Sequence, residues 1–116
     1  MKQRTGKLSL RIVEYILTRD VKDLATLSEE KIAKIFARNL VDMSRKFKAE
    51  HNISIPQFIM REKMHRIIFT LDKNKDISIT KLSRQLGFLS EEQLDREFIN
   101  YLAISPRKYK ELKTKN

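Results

Sequence analysis

The side chains best equipped for chemistry in this sequence are cations grouped around a short apolar spacing: Arg38, Arg45, Lys46 and Lys48, interleaved with Met43 and Phe47. If that segment is a helix, a turn of 100° per residue sends Met43 and Phe47 to one side and Val41, Arg45 and Lys48 to the other, flanked by Asp42 and Ser44. On such a face Arg45 can donate two hydrogen bonds to guanine O6 and N7, a contact worth about 1–3 kcal/mol of discrimination. Val41 can meet a thymine methyl, and Ser44 can read either kind of base edge. Arg38, Lys46 and Lys48 are better placed for phosphates, which hold register and carry no sequence information. The competing reading is that these charges only solvate an exposed helix.

Other chemistries find few residues. The absence of Cys removes disulfides, thiol nucleophiles and zinc fingers. His51 and His65 have no acidic or thiol cluster at ligand spacing. His51 at a helix end suits the dipole, His65 falls in a connecting helix, and neither points to metal binding or catalysis. There is no Gly-rich phosphate loop, no pair of carboxylates in an apolar setting and no Ser/His/Asp constellation, so no enzyme activity, cofactor or metal is expected. Tyr15, Tyr101 and Tyr109 read as packing residues rather than a stacking platform for single strands.

Composition narrows the partner. The chain has 116 residues, 41% hydrophobic and 34% charged, with two Gly and two Pro, which bounds one compact domain or two very small ones fused. Its 25 Lys plus Arg against 15 Asp plus Glu leave a net charge of +10. A charge of that sign suits a polyanion, because cations that neutralise phosphates release condensed counterions; an ordinary basic surface is the plainer alternative. No run approaches 18 apolar residues, and Met1 to Arg4 are not followed by the apolar core of a signal peptide, so a soluble protein without a membrane partner is expected.

The elements that must position these residues are helices. Period-3.6 apolar spacing covers most of the chain, which makes the expected fold all-α. A first helix is expected from about Ser9 to Arg19 with Leu10, Val13, Ile16 and Leu17 inward. A second follows from Ser28, whose hydroxyl can cap free amides while Glu29 and Glu30 suit the positive dipole end; it buries Ile32, Ala33 and Phe36. A third opens at Asn39, carries Met43 and Phe47 inward and ends at Asn52, which tolerates the left-handed conformation. A long helix is expected from Pro56 to about Leu71, and Asp72 to Asp76 form a surface turn.

The chain also repeats itself. At an offset of 50, Ser28 matches Ser78, Ile32 matches Leu82, Phe36 matches Leu86 and Ala37 matches Gly87. At an offset of 51, Met43 matches Leu94, Arg45 matches Arg96, Phe47 matches Phe98, Ile53 matches Ile104, Ser54 matches Ser105 and Phe58 matches Tyr109. In the second copy Ser90 and Gln93 have capping-box spacing and open the second exposed helix. Each copy is a short helix, a tight turn and a second helix, the spacing of a helix-turn-helix. Geometry alone leaves open two structural corners with no nucleic-acid role.

Residues Ser78-Ile-Thr-Lys-Leu-Ser83, Gly87-Phe88, Phe98, Ile104-Ser105-Pro106 and Tyr109 resemble the signature of AraC/XylS-type bacterial transcription regulators. Ile32-Ala33, Ser44-Arg45, Phe47-Lys48 and Phe58 look like the first helix-turn-helix of the same family. The resemblance covers about Val13 to Lys110. It implies a connecting helix holding two helix-turn-helix units so that both recognition helices enter successive major grooves, with residues 8–55 as the first unit, 56–71 as the connecting helix and 72–112 as the second. Departures are visible: Ala37 stands where the family's first turn has glycine, Asn52 and Ala103 precede the two Ile-Ser pairs, and the connecting helix has Arg61-Glu62 and Ile68 where an arginine and a small residue are usual. Ala in a left-handed conformation costs about 1–2 kcal/mol.

Superposing the repeats places Glu91, Glu92, Gln93, Asp95, Arg96 and Ile99 where the first copy has Leu40, Val41, Asp42, Ser44, Arg45 and Lys48. Glu92, Gln93, Asp95 and Arg96 are the second set of candidate base-edge readers; carboxylates can accept from cytosine N4, yet they also repel phosphates. Lys81 and Lys108 join the phosphate candidates, and Lys108, Lys110, Lys113 and Lys115 form a basic run that most often is a solvated end. Residues 1–71 carry +7 and residues 72–116 carry +3. The expected function is sequence-specific binding of double-stranded DNA by a cytoplasmic bacterial transcription regulator, stand-alone or the C-terminal part of a larger one. The alternative is a degenerate helix-turn-helix module with weak or non-specific DNA binding, whose acidic second unit binds a protein such as RNA polymerase or a sensory or receiver domain; a low-specificity nucleic-acid binder is a third possibility.

Overall fold

The computed structural model describes residues 7–74 and 76–114, so Met1 to Arg4, Lys75 and Lys115 lie outside the described residues. Eight helices follow in order among the described residues: α1 Leu8–Leu17, α2 Val21–Thr26, α3 Glu29–Ile35, α4 Leu40–His51, α5 Ile55–Lys73, α6 Ile79–Gln85, α7 Glu91–Leu102 and α8 Pro106–Thr114. No strand occurs among them, and no helix is long and apolar enough to cross a membrane. The chain divides into two compact units, Met1–Glu62 and Lys63–Asn116, with the division inside α5.

Side-chain caps set most of the helix starts. Asp20, Ser28, Asn39, Ser78 and Ser90 each accept a hydrogen bond from the amide three residues on. Ser54 and Gln57 close a reciprocal capping box at the start of α5, and Ser105 caps α8, whose first residue is Pro106. α1 alone among these helices starts at a residue, Lys7, whose side chain makes no capping bond.

The first unit buries Ile12, Ile16, Leu24, Ile32, Met43 and Phe47, with Ile55 and Ile59 from the first half of α5. The second buries Met64, Ile67 and Leu71 from the rest of α5, with Ile79, Leu82, Leu86, Phe88, Leu94 and Phe98.

Four expectations change. α1 turns Ser9, Ile12 and Ile16 inward and leaves Leu10 and Leu17 half in water, at 55% and 48% exposure. Its apolar residues at 8, 10, 12, 13, 16 and 17 compose two overlapping stripes, and the packing of α1 on α4 selects the other one. α2 was not expected, since six residues with one buried side chain, Leu24, carry no periodicity. α5 runs on through Asp72 and Lys73 because Tyr109 donates to Asp72 Oδ1 at 2.7 Å and Lys113 pairs with it at 3.4 Å, so these residues are not a surface turn. α8 converts the basic end into structure: Lys110 Nζ donates to the Ile77 carbonyl at 2.9 Å, and Lys113 reaches Asp72.

Candidate nucleic-acid interface

In the first unit, α3 and α4 are joined by a turn in which Ala37 has φ 55° and the Arg38 amide donates back to the Ala33 carbonyl at 2.9 Å. This left-handed closure is the type that ends helices, and it lets Asn39 start α4 by accepting from the Asp42 amide at 2.9 Å. With Met43 and Phe47 fully buried beneath it, α4 presents Val41 at 70% exposure, Arg45 and Lys48. Ser44 turns partly inward and donates to Glu29 Oε2 at 2.7 Å, bracing α4 against α3 rather than standing open for a base. Asp42 holds Arg45 at 2.6 Å and Lys46 at 3.3 Å. Such exposed pairs within one helix are worth about 0.3–0.5 kcal/mol, so Arg45 can leave Asp42 for a better acceptor at small cost. The side chains of Arg38 and Lys48 are exposed and pair with no carboxylate among the described residues.

The second unit repeats the geometry. Gly87 has φ 81°, and the Phe88 amide returns to the Ser83 carbonyl at 2.9 Å, as Arg38 does to Ala33. Ser90 accepts from the Gln93 amide at 3.1 Å while Gln93 Oε1 accepts from the Leu89 amide at 2.7 Å, so Gln93 is engaged in starting α7. Glu91 accepts from Thr80 Oγ1 at 3.0 Å and pairs with Arg107 at 3.0 Å. The Thr80 bond, and then Arg107, hold the Glu91 carboxyl below its usual range. Asp95 is half-buried, and its Oδ1 is enclosed without a hydrogen-bond partner. Leu94 and Phe98 form the buried side, which leaves Glu92, Arg96, Ile99 and Asn100 exposed. Asn100 escaped the sequence reading. The signal was available, since it stands four residues after Arg96 as Ala49 stands four after Arg45.

Of the seven candidate base-edge residues, then, Val41, Arg45, Glu92 and Arg96 face solvent, whereas Ser44, Gln93 and Asp95 turn partly inward. Among the phosphate candidates Arg38, Lys46, Lys48 and Lys81 are exposed, and Lys108 lies on α8, 3.7 Å from Glu111. His51 ends α4 with its ring 4.5 Å from Phe47 and Nε2 enclosed without a hydrogen-bond partner; His65 contacts the Tyr101 hydroxyl. Tyr15 packs edge-on against Phe36 and Tyr109 against Phe98. No group of three or more metal-ligating side chains is found among the described residues.

Sequence and structural neighbours agree with this architecture. The chain is 33% identical over 84 residues to the multiple antibiotic resistance protein MarA of Salmonella typhimurium and of Escherichia coli, a match covering 72% of the chain and 65% of that protein. The chain is similar to AraC-type DNA-binding domains, among them that of a transcriptional regulator from Chromobacterium violaceum, which superposes with a TM-score of 0.76 at 17% identity over 96% of each chain. No family model matches it. The AraC/XylS-type fold is borne out by solved structures: the C-terminal domain of AraT, a response regulator from Geobacillus stearothermophilus, superposes with a TM-score of 0.82 at 20% identity, covering 95% of this chain and 88% of that one. The DNA-binding domain of the transcriptional factor AdpA, solved with a target DNA, gives 0.75 at 18% identity over 92% and 93%. The chain spans 65% of the length of the curated relatives it matches. Its departures from the AraC/XylS pattern are physical as well as textual: Ala37 and Ala103 adopt φ 55° and 68°, where only glycine is free of steric cost.

Proposed function

We propose that this chain is a sequence-specific double-stranded DNA-binding domain of a bacterial transcription regulator, acting by binding without catalysis, with Arg45 and Arg96 as its principal base readers. The observation that carries the reading is Arg45 at the centre of the exposed face of α4, directly over buried Met43 and Phe47, with Val41 beside it and the unpaired cations Arg38 and Lys48 at its flanks. That arrangement offers a bidentate donor for guanine between groups suited to phosphates. AdpA, one of the structural neighbours, is described with its target DNA, and AraT as a response regulator, which supports DNA as the partner here and a sensory or receiver domain as a further one.

A second reading is favoured by α7. It carries one basic and four acidic side chains, against three and two on α4. A face of that sign repels phosphates and suits a basic protein surface, such as a patch on RNA polymerase.

Selection from a random duplex library, followed by anisotropy titration of selected and starting pools at two salt concentrations, tests the first reading. A preference of about a thousandfold that survives salt is expected. Arg45→Ala relaxes preference at one base pair; Lys48→Ala weakens all sequences alike and lowers the salt slope by about 1. Equal binding of both pools, vanishing with salt, overturns it and turns the search to a protein partner.

A further inference from the structure

Asp42 stands three residues before Arg45 on α4, whose exposed face carries Val41, Arg45 and Lys48. Side chains at i and i+3 are neighbours on a helix, and the Cα–Cβ bonds of an α-helix tilt toward its N-terminus. The Arg45 side chain accordingly runs back over the first turn of α4, where its Nη2 meets Asp42 Oδ1 at 2.6 Å. Asp42 is held in turn. Its amide donates to Asn39 Oδ1 at 2.9 Å, and its second oxygen, Oδ2, pairs with Lys46 Nζ at 3.3 Å. Both carboxylate oxygens are in use, so the charge of Asp42 is already matched by two cations.

A carboxylate on a helix that meets DNA repels phosphates. The geometry here gives it a compensating role. A guanidinium presents its N–H groups in a rigid planar fork. Asp42 takes one N–H of Nη2, which leaves the other N–H of Nη2 and the Nη1 group beside it. A guanine edge needs two parallel donors for O6 and N7. Arg45 can supply them without leaving Asp42, whereas a long cation free in water must give up rotamer freedom to hold the same pose. The pair is weak while it is exposed, but charge-assisted bonds strengthen between groove walls where water is displaced. At the same register of α7, three residues before Arg96, stands Gln93, which is neutral and whose Oε1 accepts from the Leu89 amide at 2.7 Å. The two candidate readers therefore differ in what stands behind them.

We propose that Asp42 is a positioning residue for sequence readout, which presets the Arg45 guanidinium for guanine and acts on base preference rather than on total affinity. The inference rests on the DNA-binding reading given above. The first turn of a helix is also where a carboxylate suits the dipole, and the test separates that structural role from positioning.

Arg45→Ala first identifies the base pair of a selected duplex at which preference depends on Arg45. The selected duplex, the same duplex changed at that pair and a random duplex are then titrated by anisotropy with the parent, Asp42→Ala, Asp42→Asn and the double variant of Asp42→Ala with Arg45→Ala, and thermal melting is followed for each. Asp42→Ala lowers the preference at that base pair about three- to tenfold. It binds the random duplex as tightly as the parent does, or up to about threefold more tightly at low salt, because a carboxylate has gone. Asp42→Asn keeps an acceptor oxygen in the same place without the charge, and recovers part of the preference. In the Arg45→Ala background the loss of Asp42 changes that preference no further, since the effect passes through Arg45. A carboxylate that serves only the dipole lowers the melting temperature and leaves the preference ratio at its parent value, and that result overturns the proposal. An equal loss of preference from Asp42→Ala with and without Arg45 also overturns it, and makes Asp42 a base reader in its own right. In both of these cases the DNA reading stands. If Arg45→Ala keeps every preference of the parent, Arg45 is no reader, and the proposal fails while specific binding stands. If the parent does not distinguish the selected from the random duplex, or binds neither, the DNA reading itself fails and positioning fails with it.

Discussion

Individual side chains in the two units divide between those that hold the helix pairs together and those left free to meet a partner, and hydrogen bonds decide which is which. Glu91 is the clearest case. It stands at the start of α7, where Thr80 and Arg107 clasp it and hold its carboxyl below the ordinary value of 4.5. A carboxyl depressed in the folded state adds stability that is fully present above 4.5 and is lost as pH falls through the lower folded value. Asp72 acts in the same sense, lowered first by the Tyr109 hydroxyl and then by Lys113. Chemical denaturation followed by far-ultraviolet circular dichroism across acid pH is therefore expected to show a loss of stability below 4.5 that is shallower in Glu91→Gln. Coincident slopes for the parent and this variant would remove the clasp as a source of acid sensitivity. The sequence could orient these residues but not pair them. Periodicity gives the direction of a side chain around the helix, which was enough for Val41, Arg45 and Arg96. Ser44 and Asp95 lie on the shoulder next to the buried stripe, where one helical neighbour, such as Glu29 for Ser44, draws the side chain in.

Helix boundaries were legible wherever a cap residue precedes an apolar period, as at Ser28, Asn39, Ser78 and Ser90. They were not legible for α2, too short for periodicity, although Asp20 accepting from the Asp23 amide is an ordinary start signal. The inward side of α1 was misread because two stripes compete and only α4 decides between them. The turns offer the sharpest test at this scale. Ala37 and Ala103 hold φ of 55° and 68°, conformations that cost a β-carbon about 1–2 kcal/mol. Glycine removes that cost and returns about 0.5–1 kcal/mol of it as extra freedom in the unfolded chain. Ala37→Gly and Ala103→Gly should each gain about 0.5–1 kcal/mol, which raises the melting temperature by a few degrees in a domain of this size. Asn52, at φ 64°, already tolerates the conformation, so Asn52→Gly should change melting least of the three. A lower melting temperature for both alanine variants would show that the β-carbons of Ala37 and Ala103 pack more favourably than their backbones are strained.

Charge is the property of the whole molecule that first suggested a polyanion, and the fold relocates where it matters. Cut at residues 71 and 72 the chain divides into +7 and +3, but Lys63 and Arg66 belong to the second compact unit. Residues 1–62 hold 13 basic and 8 acidic side chains and residues 63–116 hold 12 and 7, so each unit carries +5. The imbalance lies on the exposed helices themselves, where Glu92 stands in the place that Val41 takes in the first unit. If α7 lies against DNA, removing that carboxylate relieves repulsion at short range. Removing an exposed carboxylate elsewhere, such as Glu111, changes the net charge equally but acts over a longer, screened distance. Glu92→Gln is accordingly expected to tighten binding to a random duplex by about two- to fivefold at low salt, the span of an exposed charge interaction of about 0.4–1 kcal/mol, and to lose most of that gain at physiological salt. Glu111→Gln should gain less at every salt concentration. Equal gains from both variants would mean that only the net charge is felt and that α7 stands away from the duplex. No gain from Glu92→Gln at low salt, in a parent that binds DNA, would leave the acidic face of α7 to a protein partner.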